Sequence, residues 1–193
     1  MAYTALLDAN VLHPMVLCDL LIRLAQRGLY RALWSREILE EVVTSIAKRR
    51  PDLELERLRR RTLAMETAIE DATVEGYEGL IEAFAELGSD AHVLAAAVAG
   101  HADVIVTSNV RDFPERVVER YRIAVQSPDD FLIHLWWLDP ATVVDVLREQ
   151  AAGTAKPALT GDDILARLRI PAPRFVELVS RAPEYQAGQE LSG

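Results

Sequence analysis

The sequence has one cysteine, Cys18, among 193 residues. A single cysteine excludes an intramolecular disulfide and any metal site built from several thiolates. No apolar run approaches the roughly 20 residues that span a bilayer. The amino terminus, MAYTALLDAN, lacks the basic segment and the cleavage segment of a signal peptide. These absences predict a cytoplasmic protein that has no membrane partner.

Positive charge is also scarce, because 21 basic residues stand against 30 acidic ones, for a net charge of −9. This balance argues against a protein that holds nucleic acid by general electrostatic attraction. It does not exclude a nuclease, since bound divalent cations neutralise the carboxylates of such a site.

Short apolar runs alternate with amphipathic, helix-like stretches over the first two-thirds of the chain. The predicted strands are residues 3–8, 29–34, 72–77, 104–106 and 122–127. The connections are long enough for helical crossovers, so the pattern predicts an α/β sandwich around a mainly parallel sheet of five strands. Ligands of such sheets lie beyond the carboxyl ends of the strands.

The last third of the chain differs, because only helices are predicted there. We predict three parts: a first domain over 1–130, a helical extension over 131–183, and a disordered tail over 184–193. The segment 153–158, GTAKPA, is typical of a linker. Trp136 and Trp137 are more typical of a core or an interface than of base stacking.

Side chains with oxygen atoms follow two of the predicted strands. Asp8 ends the first, the polar segment 107–112 follows the fourth, and Asp90 begins the helix before the fourth. If the first and fourth strands are neighbours, these groups meet at one edge of the sheet. Carboxylate and amide oxygens suit hard cations such as Mg²⁺ and Mn²⁺.

Each of these residues also has a purely structural interpretation. Asp8 can begin an Asx turn, and Asp90 can serve only as the N-cap of its helix. The helix predicted from Ser35 to about residue 49 offers both Glu40 and Glu41. They lie about 130° from its apolar stripe on opposite flanks, so periodicity does not choose between them.

Four strings carry a family resemblance: LLDANVL, SREILEEV, SDAHVLAAA and VIVTSNVRDF. In this order and spacing they resemble a PIN domain, and more specifically the branch that contains the VapC-type ribonuclease toxins, over about residues 3–130. The resemblance implies a three-layer α/β/α sandwich. It also implies hydrolysis of RNA phosphodiester bonds with Mg²⁺ or Mn²⁺.

Matched position by position, the resemblance assigns roles to seven residues. The catalytic and metal-binding residues implied are Asp8, Glu41, Asp90 and Asp112. The residues implied as second-layer or substrate-contacting groups are Asn10, Ser108 and Asn109. Many family members have an acid where this chain has Asn109, and an amide oxygen binds a cation more weakly than a carboxylate. Asp112 can compensate, so the fourth ligand position is open between Asn109 and Asp112. We therefore expect one firmly held ion, with any second ion arriving together with the substrate.

A basic cluster over residues 48–61 is the most concentrated positive patch. It predicts RNA contacts by Arg49, Arg50 and Arg60. The alternative is a solvated helix face with pairs such as Glu56 with Arg60 at i,i+4 spacing.

The resemblance further implies the toxin of a type II toxin–antitoxin pair, with an antitoxin as partner and a homodimer as its assembly. The alternative, kept open by Asn109, is a non-catalytic PIN-fold module that binds RNA or a protein. Other enzyme classes fit less well. The string Asp8-Ala9-Asn10 lacks the second aspartate of haloacid-dehalogenase phosphatases, and no G-x-G-x-x-G follows the first strand.

Overall fold

A computed structural model describes residues 3–153 and 159–189 of the chain. The predicted linker over 153–158 lies outside this part apart from Gly153, as do the last four residues of the predicted tail. Five strands form one parallel sheet in the order β3-β2-β1-β4-β5. The strands are β1 (Thr4–Leu7), β2 (Arg31–Ser35), β3 (Thr73–Val74), β4 (Val104–Val106) and β5 (Ala124–Gln126).

Strands β1 and β4 determine where the residues directly after them lie. Every residue of β1 and β4 is buried, as expected for strands covered on both faces of a parallel sheet. They pair in parallel, with Leu7 opposite Val106. The predicted adjacency of the first and fourth strands is therefore confirmed, and Asp8 and Thr107 leave the sheet side by side.

Helices flank the sheet, so the predicted α/β sandwich with additional carboxy-terminal helices is confirmed. The helices of the first part are α1 (Ala9–Leu12), α2 (Met15–Gln26), α3 (Arg36–Arg49), α4 (Leu55–Ala68), α5 (Ala91–Ala99) and α6 (Glu115–Val118). A 3₁₀ segment, Glu78–Asp90, leads directly into α5. Helix α3 begins as predicted at Ser35, whose hydroxyl accepts a hydrogen bond from the Ile38 amide at 3.1 Å. No helix in the described ranges is long and apolar enough to cross a bilayer.

The carboxy-terminal helices pack onto the sheet domain. They are α7 (Pro128–Leu138), α8 (Pro140–Ala152), α9 (Gly161–Leu168), α10 (Pro173–Arg181) and α11 (Pro183–Gln189). Helix α8 packs against α2, where the Gln150 amide donates to the Val16 carbonyl at 2.8 Å. Trp136 is buried and Trp137 is 69% exposed. The predicted boundary at residue 130 falls inside α7, and the division into domains stays a prediction.

The structure corrects one prediction in this region. Disorder was predicted from residue 184, but residues 183–189 form helix α11. The reason is local packing: the Tyr185 side chain is 5% exposed within the core, and its hydroxyl donates to Asp162 at 3.3 Å. One buried aromatic ring provides the apolar contact that the polar sequence around it does not reveal.

Candidate functional site

Asp8 lies at the carboxyl end of β1 and is 6% exposed. Its Oδ1 accepts from the Ala9 amide at 2.6 Å, so it caps the short helix α1. Burial raises the pKa of the Asp8 carboxyl, and the charge of Glu41 adds to this, while hydrogen bonds from Thr107 and Ala9 partly offset it. No lysine or arginine forms an ion pair with Asp8 in the described part of the chain. A buried carboxylate that no described lysine or arginine neutralises is the main electrostatic feature of this edge.

Asn10 and Thr107 connect Asp8 to the end of β4. The Asn10 amide donates to Asp8 Oδ2 at 2.6 Å and to Thr107 Oγ1 at 2.9 Å. Its Oδ1 accepts from the Ser108 backbone amide at 2.8 Å, and the Thr107 hydroxyl donates to Asp8 Oδ2 at 2.7 Å. This network ties β1 to β4 and holds the Asp8 carboxylate in one orientation. Ser108 takes part through its backbone, while its side chain lies on the exposed surface.

Thr107 is a site residue that was not predicted from the sequence. It is fully buried, and its hydroxyl also accepts from the Asn109 amide at 3.0 Å. The available signal was its position, because Thr107 follows the last residue of β4 just as Asp8 follows the last residue of β1. A polar residue directly after a buried central strand lies at the same edge as its neighbour.

Asp90 lies at the junction between the 3₁₀ segment and α5. It makes no side-chain capping hydrogen bond there, so the interpretation of Asp90 as only an N-cap is not realised. Burial raises the pKa of the Asp90 carboxyl, and the negative charges of Asp8, Asp112 and Glu41 raise it further. The mutual repulsion of these acids is what a bound cation would relieve.

The structure distinguishes Glu41 from Glu40, which periodicity left open. Glu41 lines a cleft together with Asp8 and Asp90, whereas Glu40 lines a separate groove between α3 and α4. Glu41 Oε1 lies 3.0 Å from His92 Nε2. Burial lowers the pKa of His92, but the hydrogen bond and charge of Glu41, together with Glu37, outweigh it and leave this pKa raised.

His92 was given no role from the sequence. Its ring is 5% exposed on α5, and it reaches Glu41 on α3, a residue 51 positions earlier. No local pattern around His92 indicates this contact, because only the packing of α5 near α3 creates it. The imidazole fixes the orientation of the Glu41 carboxylate.

One cleft of about 350 Å³ brings most of the predicted site together. The predicted residues that line it are Asp8, Asn10, Glu41, Asp90, Asn109 and Arg49. His13 and Ser45 line it as well. Asp112 is exposed on the turn Val110–Asp112 and does not line the cleft, although its charge reaches Asp90. Asn109 is therefore the nearer of the two groups considered for the fourth position.

The predicted basic contacts separate in the structure. Arg49 lines the cleft, while Arg50 is exposed and pairs with Asp52 at 2.7 Å. Arg60 lies on the exposed surface of α4. Arg61, from the same cluster, is structural, because its guanidinium donates to the backbone carbonyls of Leu12 at 2.6 Å and His13 at 3.2 Å. Only one of these four cations reaches the acids' cleft.

The donor chemistry of the cleft fits a hard divalent cation. Asp8, Glu41 and Asp90 offer carboxylate oxygens, Asn109 offers an amide oxygen, and two of the acids have raised pKa values that an ion would lower. Within residues 3–153 and 159–189, no three acidic, histidine or cysteine side chains converge closely enough to hold an ion by themselves. The arrangement therefore suits an ion such as Mg²⁺, which retains several of its waters.

Two family matches cover most of the chain. Residues 4–111 match the PIN domain, and residues 128–181 match the VapC50 C-terminal domain. The chain belongs to the PIN domain family. It is also 35% identical over 106 residues to a Mycobacterium tuberculosis (strain ATCC 25618 / H37Rv) protein named "Putative ribonuclease VapC50". That alignment covers 55% of this chain and 63% of the relative. No solved structure matches the chain significantly.

Proposed function

We propose that this chain is a metal-dependent endoribonuclease that hydrolyses RNA phosphodiester bonds with Mg²⁺ or Mn²⁺. The observation that carries the proposal is the meeting of Asp8, Glu41 and Asp90 in one cleft at the carboxyl edge of the sheet. Among residues 3–153 and 159–189, no lysine or arginine forms an ion pair with any of these three acids. PIN-family membership and the name of the M. tuberculosis relative support the same chemistry.

The residues at this edge of the sheet have different proposed roles in catalysis. Asp8 and Asp90 would hold the ion and Glu41 would orient its water, with Glu41 itself positioned by His92 at 3.0 Å. Asp112 lies on the exposed turn outside the cleft and would act on the ion only through water. When bound, the ion would supply an activated water and would offset negative charge on the phosphate oxygens. Asn10 keeps the Asp8 carboxylate oriented, and Ser108 and Asn109 face the substrate side of the edge. This assignment makes orientation of the acids the main contribution of the protein.

The wider biological setting is part of the proposal. We infer that the protein is the toxin of a type II toxin–antitoxin pair in the cytoplasm, bound by an antitoxin and assembled as a homodimer. The resemblance to the VapC branch supports this, as does the match of residues 128–181 to a domain described from VapC50. An open reading frame for a small protein directly beside this gene, whose product co-purifies with the chain, would support the pairing.

A cleavage assay tests the nuclease directly. Purified protein is incubated with total RNA in Mg²⁺, in Mn²⁺ and with a chelator, beside Asp8→Asn, Asp90→Asn and Glu41→Gln. We expect metal-dependent cleavage that all three variants lose. Glu40→Gln is the matched control, because Glu40 precedes Glu41 on the same helix but lines a different groove. Equal cleavage by every preparation would indicate a contaminating nuclease.

One observation favours a second candidate, a PIN-fold module that binds RNA without cutting it. The acids of the described chain do not form a converged group of three, and Asn109 stands at the cleft where a fourth acid is expected. Metal-independent RNA binding without cleavage of any RNA tested would support this candidate. Under the nuclease proposal, Asn109→Asp increases the affinity for Mn²⁺ and retains cleavage.

A further inference from the structure

One face of helix α3 carries three polar side chains at four-residue intervals. Glu41, Ser45 and Arg49 all line the cleft of the acids. Residues four apart lie on the same helix face, so the three form a row. The helix rises about 1.5 Å per residue, which places Arg49 roughly 12 Å along the axis from Glu41. The row therefore runs from the acidic centre to a single cation.

We propose that Arg49, assisted by Ser45, binds a phosphate of the RNA strand that lies roughly one to three linkages from the one that is cleaved. This inference rests on the proposed ribonuclease function and adds a substrate subsite to it. A separation of about 12 Å corresponds to roughly three nucleotides of a stacked strand at 3.4 Å each, and to fewer in an extended strand. Arg49 thus meets a neighbouring phosphate and not the scissile one.

Both side chains have free hydrogen-bonding groups. Arg49 forms no ion pair or side-chain hydrogen bond within the described ranges, although three carboxylates line the same cleft. The next residue, Arg50, is by contrast bound to Asp52. Ser45 is half-buried on α3, and its hydroxyl makes no hydrogen bond to any described group. Arg49 is an exposed residue at the cleft, and a guanidinium with no partner among the described residues is suited to binding an anion in two-point fashion.

The turn that carries His13 is held in place, and the positive charge near it comes from Arg49 and Arg61. The Arg61 guanidinium fixes the turn between α1 and α2 through the carbonyls of Leu12 and His13. Burial lowers the pKa of His13, and the nearby charges of Arg49 and Arg61 lower it further. The cleft is therefore negative at its Asp8 end and positive at its Arg49 end.

Because of this charge difference, the two ends of the cleft would bind a phosphate in different ways. A phosphate at the acidic end needs a cation to neutralise its surroundings, whereas a phosphate beside Arg49 needs none. The RNA strand would lie along α3 with one phosphate at each end. A purely structural explanation for Arg49 also exists, because a cation in the last turn of a helix interacts favourably with the helix dipole. The experiment must distinguish phosphate binding by Arg49 from this interaction with the helix dipole.

The first measurement is binding of a short, fluorescently labelled single-stranded RNA of mixed sequence. It uses the Asp90→Asn protein in chelator, so that no cleavage occurs, with and without Arg49→Gln. We expect roughly tenfold weaker binding, as for the loss of one charge-assisted contact. The slope of log K against log salt should become shallower by about 0.7. Lys48→Gln is the charge-matched control, because Lys48 precedes Arg49 and does not line the cleft.

The second measurement locates the phosphate. Uncharged methylphosphonate linkages replace the RNA phosphates one at a time. In the Arg49-containing protein, one replacement should weaken binding about tenfold, and the same replacement should have no effect once Arg49→Gln is present. Ser45→Ala should weaken binding at that linkage by a smaller factor.

Several results would overturn the subsite. The first is an equal loss of RNA affinity in Arg49→Gln and Lys48→Gln. The second is that the effects of Arg49→Gln and of the methylphosphonate on affinity are additive at every linkage. The third is no measurable binding of the probe RNA. The outcome is separable from that of the nuclease proposal. If one linkage depends on Arg49 but the protein never cleaves RNA, the subsite is supported and the nuclease is refuted. If the protein cleaves RNA and Arg49→Gln leaves the KM of cleavage unchanged, the nuclease is supported and the subsite is refuted.

Discussion

The Asp90→Asn variant tests whether the acids form a cation site, and it does so without substrate. The pKa of Asp90 is raised by burial and by the charges of Asp8, Asp112 and Glu41. At neutral pH the ionised carboxylate is therefore less favourable in the folded protein than in the unfolded chain. Asparagine keeps the shape and removes the charge. In metal-free protein we expect Asp90→Asn to be more stable than the wild type.

The size of this effect follows from the exposure of the group. Asp90 is half-buried, so the relief of like-charge repulsion is worth about 1 kcal/mol or less. For a domain of this size, that corresponds to a rise in Tm of roughly 2–4 °C. The sign follows from linkage. Because the pKa of Asp90 is raised in the folded state, its ionised carboxylate destabilises the fold, and this cost is absent at a pH where Asp90 is protonated in both the folded and the unfolded protein. The difference should therefore disappear below about pH 4.

Adding metal should reverse the order of the two proteins. At an ion concentration of about 100 Kd, a ligand that binds only the folded state stabilises it by about 2.7 kcal/mol. Wild-type Tm should then rise by roughly 5–10 °C in Mn²⁺ or Mg²⁺, whereas the Asp90→Asn protein gains much less.

The assay is thermal unfolding followed by circular dichroism, in chelator and across a series of Mn²⁺ concentrations. Asp71→Asn is the control, because Asp71 is exposed and precedes the amino end of β3, at the opposite edge of the sheet. Equal gains in Tm for wild type and Asp90→Asn would refute Asp90 as a ligand. A metal-free Asp90→Asn protein that is less stable than the wild type would refute the electrostatic reasoning.

Three other substitutions and conditions test the surrounding structure. Thr107→Val removes the buried hydroxyl that donates to Asp8. We expect a loss of about 1–3 kcal/mol in urea unfolding and, under the proposed function, slower RNA cleavage. The pKa of Asp130 is lowered by a hydrogen bond from Ser127 and by Arg174. Its contribution to stability is therefore present above about pH 4 and is lost as the pH falls through the folded-state pKa. On acidification, the wild type should lose more stability than Arg174→Gln. Gly100→Ala places a Cβ within 2.7 Å of a Leu33 methyl, and overpacking should cost about 1–3 kcal/mol in the same assay.

The sheet was predictable because its information is local. The buried runs of β1 and β4 are short, apolar and separated by helix-like stretches, so their type and parallel pairing follow from pattern. Less regular strands were placed less well. β3 is reduced to Thr73–Val74, and β2 extends one residue further than expected, to Ser35, which both ends the strand and caps α3.

The site was predictable where a residue's position along the chain determines its position at the sheet edge. Asp8 follows a central strand, and Asp90 begins the helix that leads to its neighbour. Glu41 required the family resemblance, because helical phase gave Glu40 an equal chance. The contacts of His92 and Thr107 were missed, since they join residues 51 and 99 positions apart.

Local sequence patterns were enough to establish a parallel α/β sheet with acids at its carboxyl edge, because strand period, helix period and turn residues are local properties. Which groups of that edge share a cleft depended instead on tertiary packing. It placed Asn109 in the cleft and left Asp112 on the exposed turn outside it. Within the described ranges, it also left Arg49 without an ion pair at the cleft of the three acids, whereas Arg50 pairs with Asp52. Such choices depend on how distant elements pack and where their charges meet.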